Sequence, residues 1–182
     1  MEMQQTNSLQ FVDKEALKAQ VDAEIAARLE LEADYARYVH RRGFNVGPLR
    51  LLVGLDEASE VAEMPPLFRL PGAPQGVKGL ANRHGRVVPV LDLLALFGAA
   101  DMQKDGGWLL VYGRGDEAVG IMIDSLPDRK KFALEDAVGI EKITHPIAAH
   151  ARAAYREGDA IWIDMDMAAL FAAVFRIDSS AA

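Results

Sequence analysis

Residues 69–98 read Arg-Leu-Pro-Gly-Ala-Pro-Gln-Gly-Val-Lys-Gly-Leu-Ala-Asn-Arg-His-Gly-Arg-Val-Val-Pro-Val-Leu-Asp-Leu-Leu-Ala-Leu-Phe-Gly. Pro71 and Pro74 disfavour a helix and stiffen the approach to Val77. Gly79 permits a tight pass of the backbone, and residues 82–85 have the composition of a turn that accepts positive φ. Residues 87–91 form a short apolar run, predicted as a strand. Pro89 inside it predicts an edge strand or a bulge, because proline cannot donate to a ladder. Asp92 then stands where a carboxylate can cap a short apolar helical turn over residues 93–96.

Similar phrases recur on both sides. Residues 49–53 read as a strand that Gly54 interrupts, and residues 160–163 as the last clear one. Residues 108–112 and 119–123 are two more apolar runs, and the separator opening Gly113-Arg114-Gly115-Asp116 has the composition of a hairpin turn. Short strands punctuated by Gly, Pro and Asp predict a closed or sandwiched β architecture. A weak internal repeat divides it in two. The strands of residues 49–56 and 119–124 both end in Asp. The strands of residues 88–90 and 161–163 both run into an Asp and an apolar helical turn, at Asp92 and Asp166. Two lobes on one plan, about 44–100 and 107–172, would each be too small to stand alone and would share a core.

Upstream the chain changes character. Residues 13–40 lack Gly and Pro and are rich in Ala, Glu, Leu and Arg, which predicts a helix capped by Asp13 and stopped at Gly43. His40, Arg41 and Arg42 would then complement the C-terminal end of its dipole. Leu17, Val21, Ile25 and Leu29 make an apolar stripe, broadened by Leu31, Tyr35 and Tyr38, expected to be buried on the body or against a partner. Residues 1–43 are thus read as a helical extension and 176–182 as a disordered tail.

The chain has 182 residues, 51% of them hydrophobic and 26% charged, with a net charge of −7 and no cysteine. That charge, with no basic run interleaved with aromatics, argues against a nucleic-acid surface. The absence of cysteine removes disulfides and thiolate metal sites. No apolar stretch is long enough for a signal peptide or a membrane span, so the expectation is a cytoplasmic protein without membrane insertion. His145 and His150 lie five apart with Pro146 between them, awkward for a metal face, and no metal or cofactor is expected. Asp164 and Asp166 share one side of an extended chain and could in principle do acid–base work, but Asp166 is placed to cap a helix. No Gly-x-Ser-x-Gly elbow, Walker loop or His-Glu-x-x-His occurs. An enzyme is not expected, and one using Asp164 and Asp166 is the remote alternative.

The stretch from Pro71 to Leu93 resembles the CheW family of chemotaxis coupling proteins. The family phrase runs Pro-x-x-Pro, Lys-Gly-hydrophobic-x-Asn-hydrophobic-Arg-Gly, then hydrophobic-Pro-hydrophobic-hydrophobic-Asp-Leu. Pro71, Pro74, Lys78, Gly79, Asn82, Gly85, Pro89, Asp92 and Leu93 fall on it. Residues 58–61 resemble the family's upstream Val-x-Glu-Val/Ile phrase, and residues 119–124 its second-lobe strand. The likeness covers roughly residues 44–172. One departure matters: where the family has a hydrophobic residue and then Arg, this chain has Arg83 and then His84. In the family that Arg is thought to pair with the upstream Glu, here Glu60. Glu60 then has two candidate partners: His84, which stands at that Arg's position and would make a weaker pair, and Arg83, which could substitute but as the adjacent strand residue would face the other way.

The resemblance implies two five-stranded SH3-like barrels sharing a core, an all-β domain over residues 44–175 after the N-terminal α-helix. It implies a non-catalytic adaptor between the regulatory domain of a CheA-type histidine kinase and the cytoplasmic tip of a chemoreceptor, or a relative of it in a non-flagellar pathway such as type IV pilus motility. Receptor contact is expected at Leu55, Ala58, Glu60, Val61, Arg83 and His84, and kinase contact at Pro65, Pro66 and Phe68.

Overall fold

The computed structural model describes residues 13–98 and 107–176. The chain divides into a unit of residues 1–38 and a body of residues 39–182. The described residues of the first unit carry one helix, α1 (Lys14–Ala36). Asp13 caps it as expected, its Oδ1 accepting from the N–H of Glu15 at 3.0 Å and of Ala16 at 3.4 Å. The expected end of the helix is corrected. The helix stops at Ala36, and residues 38–46 are already strand β1 (Tyr38–Val46). Tyr38 and Val39 favour the pleated backbone, and Gly43 is a packing site within that strand. Along the stripe, Leu17, Val21, Ile25 and Leu29 are 44–60% exposed.

The body continues with β2 (Leu49–Val53), β3 (Ala58–Glu63), β4 (Val77–Arg83), β5 (Arg86–Leu91), the short helix α2 (Leu93–Leu96), β6 (Trp108–Tyr112) and β7 (Val119–Ile123). It closes with β8 (Asp128–Ala133), β9 (Ala137–Val138), β10 (Ala151–Glu157), β11 (Ala160–Met165) and α3 (Met167–Arg176). Five strands form one sheet in the order β3-β6-β7-β5-β4, and six form the other in the order β8-β1-β2-β11-β10-β9. Each sheet contains one parallel pairing of two residues a side, β5 with β7 and β2 with β11. The pairing crosses the expected lobe boundary. β6 and β7, expected in the second lobe, pair with each other over five residues and join the sheet of β3–β5. β2, expected in the first, lies between β1 and β11. Pro89 is not on an edge either. β5 lies between β4 and β7, and Pro89 falls one residue before the parallel register with β7 begins at Val90, so its missing N–H costs no ladder bond to that strand.

Alternation along the strands gives both sheets two apolar faces. Leu51, Leu91, Leu110 and Ile121 enter one core shared by the two sheets, together with Met165, Leu170 and Phe171. Their neighbours turn the other way: Val90, Leu109 and Val111 fill a second cluster on the five-stranded sheet, and Leu52 joins Phe132, Tyr155 and Trp162 on the six-stranded one. The two expected caps are in place. Asp92 Oδ1 accepts from Ala95 N–H at 3.0 Å, and Asp166 Oδ1 from Ala169 N–H at 2.9 Å. Arg176 ends α3; residues 177–182 of the expected tail, and residues 1–12 of the extension, lie outside the described residues.

Candidate functional site

The turn between β4 and β5 is built by its own side chains. Asn82 Oδ1 accepts the N–H of Gly85 at 3.0 Å, closing the turn from inside. His84 takes a left-handed backbone, φ 51°, which non-glycine residues adopt at a cost and asparagine or histidine most readily. That rotation removes His84 from strand alternation. Arg83, still the last residue of β4, and His84 therefore converge on one acceptor: Arg83 Nη2 and His84 Nε2 both reach Glu60 Oε1, the histidine at 3.2 Å. The alternation that set Arg83 against His84 does not apply, because His84 lies outside the strand, and both candidates reach Glu60. The Arg83 hydrogen bond holds the Glu60 carboxyl below the usual glutamate range, against a smaller opposing effect of burial, and His84 adds to the lowering.

This cluster stands at the side of an open groove of about 520 Å³ on the five-stranded sheet. Val88, Val111 and Ala118 give it an apolar floor, while Arg86 and Arg114 add positive charge to that of Arg83. Sequence reading missed both arginines. Arg86 sits opposite Arg83 in the β4–β5 register, so a hairpin drawn through residues 82–85 would have found it; Arg114 comes from the turn after β6 and gave no signal. A groove of this composition can receive a segment that is apolar in the middle and acidic at its flank.

The remaining expected contacts lie elsewhere. Ala58 is buried in the shared core, Val61 packs against it, and half-buried Leu55 sits in the turn between β2 and β3. Pro65 is half-buried and Pro66 exposed. Phe68 is 69% exposed yet held firmly, because its N–H and C=O both exchange 2.8 Å hydrogen bonds with Leu80. Gly79 makes this possible: a Cβ there would stand 2.6 Å from the Phe68 carbonyl oxygen. A second groove, of about 560 Å³, also escaped the sequence reading; Pro89 and Val119 line it from the sheet, and Phe171 and Phe175 from α3.

Asp164, His145 and His150 make contacts away from the groove. Asp164 is buried on β11, accepting from Arg41 Nε at 2.8 Å, with Arg152 Nη2 at 3.6 Å. Arg152 in turn grips Glu57 through two 2.9 Å bonds, and Glu57 also accepts the N–H of Gly54 at 2.7 Å. Burial pushes the Asp164 carboxyl up even against both arginines. Burial would raise Glu57 too, but its bonds to Arg152 and Gly54 hold it below its usual range. His145 and His150 flank the ring of Phe97 at 5.9 and 6.1 Å between centroids, and His145 Nδ1 accepts the N–H of Ile147. Among the described residues no group of three or more His, Asp or Glu is arranged to hold a metal ion, and no helix is long and apolar enough to cross a membrane.

Residues 43–175 match the model of the CheW-like domain. The protein PilI of Pseudomonas aeruginosa is 27% identical over 113 residues, covering 61% of this chain and 63% of PilI, so the match spans less than two thirds of that relative. Among solved structures, the scaffolding protein TtCheW of Thermoanaerobacter tengcongensis superposes with a TM-score of 0.60 at 17% identity, over 70% of this chain and 84% of that one, a likeness of fold.

Proposed function

The chain belongs to the CheW-like domain family, and on that premise we propose that it is a non-catalytic adaptor in a chemosensory array. It joins the regulatory domain of a CheA-type histidine kinase to the cytoplasmic tip of a chemoreceptor, working in the cytoplasm. The two sheets, each with apolar side chains on both faces, are read as the two SH3-like barrels of the family. The observation that carries the reading is the cluster of Glu60, Arg83 and His84 beside the basic groove. It supplies the family's Glu–Arg pair from a shifted position, and it braces the turn against which a receptor helix with an acidic flank would lie. Phe68, an exposed aromatic fixed by backbone bonds, is the favoured anchor for the kinase, with Pro65 and Pro66 beside it. The likeness to PilI favours a second reading of the pathway, in which the same adaptor serves a non-flagellar system such as type IV pilus motility.

The test is calorimetric titration of the full chain with the regulatory domain of the kinase and, separately, with a receptor-tip fragment. Glu60→Ala should weaken receptor binding and leave kinase binding intact, while Phe68→Ala should do the reverse. Binding of neither partner by the native chain refutes the adaptor reading. Binding of both with no loss in either variant refutes the assignment of the two surfaces.

A further inference from the structure

Taken by itself, helix α1 carries an apolar face, and its charges indicate what pairs with it. Taken in heptads, the core positions are Lys14, Leu17, Val21, Glu24, Arg28, Leu31 and Tyr35. Leu17, Val21, Leu31 and Tyr35 are each 44–69% exposed, with Ile25 alongside them at 51%. Two charged residues of opposite sign, Glu24 and Arg28, interrupt this face at its centre, where an apolar layer would be expected. Arg28 already reaches along its own helix to Glu32, at 3.0 Å.

We propose that α1 pairs with α1 of a second copy as an antiparallel two-helix coil, with Glu24 and Arg28 meeting across the twofold axis. With that axis near Ala26, Leu17 faces Tyr35 of the second copy and Val21 faces its Leu31. Glu24 faces its Arg28, and the symmetry repeats each layer in reverse. The flanking positions agree. Lys18 lies opposite Glu32 of the second copy, Ile25 opposite Ile25, and Ala27 opposite Ala27, small enough for close approach. A parallel pair would set Glu24 against Glu24 and Arg28 against Arg28, and would separate Lys18 from Glu32. The charge order therefore selects the antiparallel orientation and rejects the parallel one. An adaptor so joined presents two bodies, whatever partners those bodies bind.

The chain contains no cysteine, so single introduced thiols report orientation cleanly. Native protein should sediment as a concentration-dependent dimer. Glu24→Arg, which gathers four guanidiniums at the centre, should raise the dimer Kd at least about tenfold. Adding Arg28→Glu to it should restore the dimer, since the exchanged pair is complementary again. In the full chain, Ala27→Cys should couple to its own copy through a short bis-maleimide. Leu17→Cys should not, because the antiparallel arrangement sets those positions about 27 Å apart along the axis. A monomer at all concentrations, dimerisation unchanged by Glu24→Arg, failure of the double exchange to restore it, or efficient Leu17→Cys coupling would each overturn the proposal.

Discussion

At Glu60 a single carboxylate oxygen serves two donors of unequal quality. Arg83 is three-quarters covered and always charged, whereas the His84 side chain is 75% exposed. The arginine should therefore carry most of the bracing. Arg83→Ala is expected to weaken receptor binding more than His84→Ala, and His84→Arg to leave it unchanged or slightly tighter. Because the pair is partly solvated, Glu60→Ala should cost about 1 kcal/mol of fold stability or less, measured by urea unfolding. A loss well above that would mark Glu60 as a folding residue. The pH dependence follows from the lowered carboxyl. Its contribution is complete above the ordinary glutamate range and is lost as pH falls through the depressed value, so binding that uses this brace should be flat around neutrality and fade only in acid. A fall in affinity between neutral and mildly acidic pH in both the native chain and Glu60→Ala would place the sensitive group elsewhere.

Among the elements, the glycines separate what a sequence can signal from what it cannot. Gly79 was legible, since two prolines and a turn around it left little but a tight pass. Gly43 was not. After a helix-favouring run it looks like a stop signal, yet it lies inside β1, where a Cβ would stand 2.7 Å from Lys130 Cγ and 2.8 Å from Trp162 Cζ3. Both neighbours arrive from strands more than eighty residues away, and no local pattern announces them. The same limit hid the groove. Periodicity found strands β2, β5, β6, β7 and β11, but Arg86 and Arg114 become neighbours only through the sheet order. Gly43→Ala should destabilise by about 1–3 kcal/mol through forced repacking of Trp162. Gly79→Ala meets backbone instead of a side chain and should also free Phe68, seen as faster proteolysis near residue 68 and weaker kinase binding. If Gly79→Ala left proteolysis and kinase affinity untouched, the bridge from Phe68 to Leu80 would not be what positions that aromatic.

Across the body, one charged chain ties together elements that the sheet order leaves far apart in sequence. Arg41 on β1, Asp164 on β11, Arg152 on β10 and Glu57 before β3 form a continuous run of ion pairs. The internal repeat predicted a two-part body and a shared core, but it gave no hint of this run, because its members occupy unrelated places in the repeat. Asp164 is the member with most at stake, being buried while both of its cations are partly exposed. Its raised carboxyl and the lowered one of Glu57 respond to acid in opposite senses. Glu57 contributes stability that is present above the ordinary range and lost as pH falls through its depressed value. For Asp164 the charged form is penalised, and the penalty is relieved as pH falls through its raised value. Arg41→Met removes the hydrogen-bonded cation and leaves a buried carboxylate with Arg152 alone, which should cost about 2–4 kcal/mol at neutral pH. Without Arg41 the Asp164 carboxyl rises further, so it takes up its proton sooner and the uncompensated charge disappears. The stability gap between native chain and variant, from denaturant titrations at a series of pH values, should narrow steadily from neutral to mildly acidic conditions. Glu57 is present in both proteins, and its own loss largely cancels in the difference. A gap that stays constant or widens on acidification would mean that Arg41 acts through packing of its alkyl stem and not through the charge of Asp164.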